Sequence, residues 1–400
     1  MYLMVLDGEY PKDIRVRKEA ESIAESGREI TVLTRWKKNQ ARKEKINNVN
    51  IIRYGPHYSF NIKGINDIIS SIFFIDFLFW FSIKKIMKKN NVKVIHLHDL
   101  PLIKTVQKLI KKKEIKLILD MHENYPEMLD EYKLSKKGWL KRNKDALFFN
   151  SKRWKKYEEK HIRKCDHIIA VVDEMKEKVI KEYNIDSENI SVVSNYEKKS
   201  FSHKEEEDDF KFDNDFSILY VGGISPIRGL ETVILAMKEI NEHFSAKFVI
   251  VGGGNTQYIQ TLKNLVSENK LDNCVHFIGY RPFNKINYYI KNASINIIPH
   301  IKSAHTDNTI PHKLFQIFLM KSPVLVSSCN PLERIVKSNN AGYVFKAQSS
   351  NSFEKMILHI NKNKEEKIMF ANNGYDLAYQ KLNWELEAEK LINTYDKYHG

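Results

Sequence analysis

Two doubly wound α/β domains facing a cleft are the architecture that this sequence predicts, and three observations predict it. Short apolar runs alternate with amphipathic helical stretches along the whole chain. The alternation is interrupted once, by a charged segment, and then restarts. At 400 residues and 42% hydrophobic content the chain exceeds what one core usually organises. The expected layout is a first domain over 1–198, a charged linker over 199–216, a second domain over 217–380, and a C-terminal stretch over 381–400.

The elements follow in order. Tyr2–Leu6 reads as a strand, Ile14–Ser26 as an amphipathic helix closed by Gly27, and Glu29–Thr34 as a second strand, which together make a βαβ unit. Apolar runs recur at Asn50–Tyr54, Val92–Leu97, Lys116–Asp120, Ile168–Val172 and Ile190–Val193, with room for a helix between them. Runs apolar on both faces suit a parallel sheet covered on both sides. At Lys198–Asp215 the composition turns to Glu205, Glu206, Glu207, Asp208 and Asp209 among lysines, the expected junction. Strands then resume at Ser217–Val221, Lys247–Val251, Val275–Ile278, Ile295–Pro299, Val324–Ser327 and Tyr343–Phe345. The last helical stretch, Trp384–Tyr398, is expected to cross back to the first domain. In doubly wound sheets ligands sit at the carboxyl ends of the strands, so the chemistry belongs on strand-end loops.

Composition narrows the class. Cys165, Cys274 and Cys329 match no metal-ligand spacing and are too few for a disulfide framework, which suits a reducing compartment. The N-terminus is one strand long, without a basic lead or a cleavage site, so a cytoplasmic protein is expected. A net charge of +15 is compatible with nucleic acid, membrane or anionic small ligands. No recognition motif for nucleic acid accompanies it. Basic residues between Lys133 and Lys164 are interleaved with Trp139, Phe148, Phe149 and Trp154, a pattern suited to a lipid headgroup interface. The apolar run Ile72–Phe81, followed by Lys84, Lys85, Lys88 and Lys89, is a second candidate, and is too short to span a bilayer. Its alternative reading is a buried helix with a solvated lysine face.

Two segments carry recognisable chemistry. The strand ending at Val221 runs into Gly222-Gly223-Ile224-Ser225-Pro226-Ile227-Arg228-Gly229 and then a helix. Glycines let the backbone approach an anion, the helix start aims free N–H groups at it, and Arg228 adds a forked cation. The second segment, Asp307 to Gln316, has a proline early in an expected helix and brings Thr309 and Lys313 to its start. One Asp-x-Asp triplet, Asp213-Asn214-Asp215, precedes a strand rather than following one, so no metal is assigned to it.

These segments stand in order with others: Pro11–Arg17, His96-Leu97-His98-Asp99, Asp120-Met121-His122-Glu123, Val251–Gly254, Pro311–Gln316, and Pro323-Val324 leading to Leu332-Glu333. In that order and spacing the chain resembles the GT-B-fold retaining glycosyltransferases of the family 4 type, which build surface polysaccharides and glycans. The resemblance covers nearly the whole chain.

It implies that Gly222, Gly223, Arg228, Gly253 and Lys313 hold the diphosphate of a nucleotide-sugar donor, most simply a UDP-sugar. Arg228 stands where the family usually has lysine, and Gly223 where it usually has arginine. Asn308 and Gln316 stand where the family has two glutamates, so Gln316 is expected to meet the ribose and Asn308 the donor sugar, beside Thr309 and Pro311. His122 is expected to contact the donor sugar; His122, Arg228 and Lys313 form the expected catalytic set. Gly8, Arg15, Arg17, His98 and His122 are expected to lie by the acceptor.

With no carboxylate in place for double displacement, the resemblance implies front-face departure of the diphosphate, stabilised by cations and helix amides. No metal or other cofactor is required. The expected activity is transfer of a sugar, with retention of configuration, to a hydroxyl of a growing lipid-linked glycan, by a protein peripheral to the inner face of the cell membrane. A non-catalytic nucleotide-sugar-binding or partner subunit and a nucleotide-sugar epimerase remain alternatives. A Rossmann dehydrogenase is disfavoured, because Asp7-Gly8-Glu9-Tyr10-Pro11 is not a dinucleotide fingerprint.

Overall fold

The computed structural model describes residues 1–37, 39–55, 66, 69–70, 72–122, 124–134, 150–203, 206–213 and 215–398. Residues 135–149, the centre of the basic and aromatic segment noted above, lie outside the described residues, as do Glu123, Glu205 and Asn214. The chain forms two compact units, Met1–Ser194 with Glu387–Gly400, and Asn195–Leu386.

The first unit is built on an eight-stranded sheet. Its strands are β1 (Tyr2–Val5), β2 (Ile30–Arg35), β3 (Lys43–Ile46), β4 (Val49–Tyr54), β5 (Val94–His98), β6 (Lys116–Met121), β7 (His167–Ala170) and β8 (Ile190–Val192), in the order β3-β4-β2-β1-β5-β6-β7-β8. Every neighbouring pair is parallel except the β3–β4 hairpin. β3 was not legible in advance because Lys-Glu-Lys-Ile alternates exposed and half-buried positions at the sheet edge. Helix α1 (Ile14–Glu25) starts where the Asp13 carboxylate accepts the Val16 N–H, and buries Val16, Ala20 and Ile23. Helix α2 (Phe77–Lys89) is capped in the same way by Asp76 and buries only Phe79, Ile83 and Ile86.

The second unit holds a six-stranded, wholly parallel sheet. It comprises β9 (Phe216–Val221), β10 (Ala246–Val251), β11 (Val275–Gly279), β12 (Ile295–Ile298), β13 (Val324–Ser327) and β14 (Tyr343–Phe345), in the order β11-β10-β9-β12-β13-β14. In each unit the strand order reverses beside the first strand, between β1 and β5 and between β9 and β12. A crevice opens at such a reversal, past the strands' carboxyl ends. The loops after β1, β5, β9 and β12 are therefore where each unit can receive a ligand.

The segment 199–216 is not a linker. It belongs to the second unit, because the apolar residues among its charges are anchored there. Phe201 meets Phe283 edge-on, Phe210 stacks on Tyr289, and buried Asp208 pairs with Arg281 at 3.1 Å and Lys285 at 3.3 Å. The division falls instead at Ser194/Asn195. The last helix, Trp384–Asp396, starts in the second unit, and its residues from Glu387 onward belong to the first, later than the expected 381.

Candidate functional site

In the second unit the loop after β9 rests on the loop after β10. Gly222 N–H donates to Val251 O at 2.9 Å, Ile224 N–H to Gly253 O at 2.8 Å. Both turns demand glycine: Gly222 has φ +141° and Gly252 φ +145°, and a Cβ on Gly252 would sit 1.9 Å from Gly222 O. A Cβ on Gly222 would come within 2.8 Å of Lys313 Nζ, so the absent side chain leaves room for the ammonium against the loop. Gly223 has open space above its Cα, and its carbonyl accepts from the Tyr220 hydroxyl at 2.6 Å.

The electrostatics of this loop are one-sided. Lys313 Nζ is buried, has no hydrogen-bond partner among the described residues, and lies 4.2 Å from the Tyr220 ring. Burial, and next the Arg228 charge, hold its pKa well below the ordinary lysine value. Arg228 sits in the turn Pro226–Arg228; its Nη1 lies 2.9 Å from His300 Nε2, while its Nε is buried and unpartnered. His300 is held well below its ordinary pKa, first by burial and then by Arg228, so its neutral ring accepts from the guanidinium. A buried amine under the influence of a guanidinium, with no carboxylate paired to either among the described residues, is an unfavourable arrangement that an incoming anion relieves. The helix Leu230–His243 begins at Gly229 with no side-chain cap on its first amides. His300, at the end of β12, escaped the sequence reading because a lone histidine after a strand carries no signature.

Other expected donor contacts are arranged differently. The helix Lys313–Leu319 starts two residues beyond Pro311. Asn308 Nδ2 donates to Ala304 O at 2.7 Å and Thr309 Oγ1 to His305 O at 3.1 Å, so both side chains brace their own loop. Gln316 is buried and its Nε2 donates to Glu197 Oε2 at 2.8 Å. A carboxylate therefore does stand at position 316's side, supplied from 119 residues earlier in the chain. No local pattern around Asn195-Tyr196-Glu197 announced it.

In the first unit two expected acceptor residues are structural. Arg15 is 3% exposed; its Nε and Nη2 donate to the two Asp120 oxygens at 2.8 Å each, and Nη1 donates to Val193 O at 3.0 Å. His98 is 1% exposed, with Nδ1 at 3.1 Å from Asp120 Oδ2. α1 and β5 point both side chains into the core. Arg17, on the first turn of α1, is half-buried and has no ion pair among the described residues. The Gly8 carbonyl, just past β1, accepts from Thr34 Oγ1 at 2.6 Å.

His122, beyond β6, lies between two carboxylates, Nε2 at 3.0 Å from Asp99 Oδ2 and Nδ1 at 3.5 Å from Asp120 Oδ2. Burial alone would lower its pKa; Asp99 and Asp120 outweigh it and hold the ring well above the ordinary histidine value, as an imidazolium. Asp99 adopts φ +63° at the end of β5, a strained conformation of the kind found at functional sites. Asp120 stays ionised although burial opposes it, because Arg15 and the two histidines bind its charge.

Two α/β units, each with polar groups gathered past the strand ends at a reversal of strand order, fit the GT-B fold. The description "Glycosyltransferase Family 4" matches residues 14–196 and "Glycosyl transferases group 1" matches residues 201–377, and the chain belongs to this family of glycosyltransferases. Its fold is similar to that of sucrose-phosphate synthase from Thermosynechococcus elongatus, with TM-score 0.77 and 16% identity over 99% of this chain and 98% of that one. It is similar also to Anabaena Alr3699/HepE, solved in complex with UDP, with TM-score 0.70 and 11% identity over 99% of this chain and 100% of that one. The O-antigen chain mannosyltransferase RfbU of Salmonella typhimurium is 27% identical over 46% of this chain and 48% of its own length. Matches to the curated relatives span between 36% and 59% of those proteins' lengths. Among the described residues no helix is long and apolar enough to cross a membrane.

Proposed function

We propose that this glycosyltransferase takes its sugar from a nucleotide diphosphate, a UDP-sugar being the first candidate, and transfers it with retention to a hydroxyl of a lipid-linked glycan. The observation that carries the reading is the pair Arg228 and Lys313, basic groups that act on each other electrostatically beside the glycine loop, with no carboxylate paired to either among the described residues. A diphosphate supplies the missing charge, and its negative charge grows as the glycosidic bond breaks, so the same cations stabilise departure more than binding. They provide that stabilisation without a metal ion. HepE, a fold neighbour, binds UDP, which supports the choice of nucleotide.

Gln316, held by Glu197, is the group for a ribose hydroxyl, with its carbonyl as acceptor. His122, protonated between Asp99 and Asp120, is the group for contact with the donor sugar, which its positively charged ring edge can meet. Ile72, Phe73, Phe77 and Phe81 are exposed beside the exposed Lys84, Lys85, Lys88 and Lys89. That pairing of aromatic and basic groups supports contact with an anionic membrane carrying the acceptor, at the inner face of the cell membrane.

A panel of nucleotide sugars, incubated with lipid extract with and without chelator, tests the reading. Nucleotide diphosphate release with a new glycolipid of retained configuration is expected in both conditions. Tight nucleotide binding without product would refute the transfer.

A further inference from the structure

Beneath His122, in the core of the first unit, four buried side chains meet with ligand atoms to spare. Glu19 of α1, His96 and His98 of β5 and Asp120 of β6 each offer one such atom, all within 4.8 Å of one another. Asp120 is already committed, since both oxygens accept from Arg15 and Oδ2 also faces His98 Nδ1. His96 Nε2, His98 Nε2 and Glu19 Oε2 have no hydrogen-bond partner among the described residues, although none of the three residues is more than 1% exposed. Buried polar atoms left unpaired are uncommon, and several in one place call for an ion or a water.

The geometry favours an ion. Glu19 Oε2 lies 4.0 Å from His96 Nε2 and 3.8 Å from His98 Nε2, too far for hydrogen bonds. Ligands at about 2.0–2.2 Å from a tetrahedral Zn²⁺ stand roughly 3.4 Å apart, so a small closure brings the three atoms onto one cation. The second ring nitrogens are held as in metal-binding histidines: His98 Nδ1 faces the Asp120 carboxylate at 3.1 Å and His96 Nδ1 the Tyr395 hydroxyl at 2.7 Å. With His98 Nδ1 turned to Asp120, its Nε2 is the ring nitrogen that faces the gap. Arg15 Nε, 3.0 Å from Glu19 Oε1, leaves Oε2 for the ion.

We propose that Glu19, His96 and His98 bind one divalent first-row cation of the Zn²⁺ class, fastening α1 to β5 and, through Tyr395, the C-terminal helix to both. Two imidazoles and a carboxylate suit Zn²⁺ better than Mg²⁺ or Ca²⁺, which prefer oxygen. The site stands apart from the transfer reaction and does not depend on it. Spacing alone could not reveal it, since Glu19 is far from the His-x-His pair in sequence.

The test uses the full chain without a histidine tag. Metal content is measured after chelator-free purification, thermal unfolding is followed during Zn²⁺ titration and chelation, and Co²⁺ loading is read by its visible absorption. One bound equivalent, a Tm raised by Zn²⁺ and lowered by chelator, and tetrahedral Co²⁺ bands are expected. Glu19→Gln should lose the ion, and Tyr395→Phe, which keeps the packed ring, should bind about tenfold more weakly. If Glu19→Gln does not fold, the wild-type titration and Tyr395→Phe decide. No binding by the wild-type chain, or equal binding by Glu19→Gln, overturns the proposal and leaves a water in the gap.

Discussion

Two clusters past the strand ends, one in each unit, treat buried charge in opposite ways. In the first, Arg15 is enclosed by Asp120 and Glu19, and His122 by Asp99 and Asp120, so that each cation meets a carboxylate. In the second, Lys313 lies against Gly222 and the Tyr220 ring and Arg228 against the neutral His300, and among the described residues neither meets a carboxylate. A buried charge that is paired holds a fold together, whereas one left unpaired marks where a ligand's charge belongs. Removing a cation should therefore hurt stability at the first cluster and ligand affinity at the second.

The largest effect is expected at Arg15. Replacing it with Met leaves the Asp120 and Glu19 carboxyls buried without their cation and should cost about 3–5 kcal/mol of stability, read by urea unfolding. A loss below about 1 kcal/mol would mean the cluster is not a structural pin.

Lys313→Met should do the reverse. Without a diphosphate the variant should be as stable as the parent or more so, since a buried amine with no hydrogen-bond partner among the described residues is gone. UDP affinity should fall about 10- to 100-fold, the range for charge-assisted hydrogen bonds of about 1.5–3 kcal/mol. Reduced stability with unchanged affinity would reverse the roles assigned to the two units.

The depressed Lys313 pKa adds a pH dependence whose sign is fixed. Above that depressed value the folded free protein lacks a proton that the unfolded chain keeps up to the ordinary lysine range. Stability of the free protein should therefore rise with pH across that window. A bound diphosphate restores the proton, so binding should take up protons and weaken as pH rises. Calorimetry in buffers of different ionisation enthalpy reads the uptake, which Lys313→Met should abolish. Uptake that survives in the variant would point to His300 instead.

The smallest effect is expected at the exposed aromatics of α2. Phe77→Ser with Phe81→Ser should change stability by no more than about 0.5 kcal/mol, as surface substitutions do. Binding to anionic vesicles should drop by roughly tenfold, the loss of about 1.4 kcal/mol of apolar insertion. Unaltered binding would move the contact elsewhere on the chain.

The fold was legible because apolar strands at regular spacing constrain a parallel sheet strongly. What escaped was whatever long-range packing decides. The acidic run at 205–209 suggested a linker, but Phe201 and Phe210, scattered among charges, bind the segment to the second unit. Arg15 and His98 looked like ligand-binding residues because a charged side chain and a burial partner 105 or 22 residues away cannot be matched from one sequence. For the same reason Glu197 was missed beside Gln316. The turn at Gly222–Arg228 and the helix after it could be read because their signals are local: glycines, a proline and a helix start within a few residues.

The most direct test of the claim that unpaired cations in the second unit receive the donor's diphosphate is calorimetric comparison of UDP and uridine on the parent and Lys313→Met. UDP is expected to bind the parent much more tightly than uridine, and most of that advantage should vanish in the variant. An advantage of UDP that persists undiminished would contradict it, and the diphosphate would have to be held by other groups.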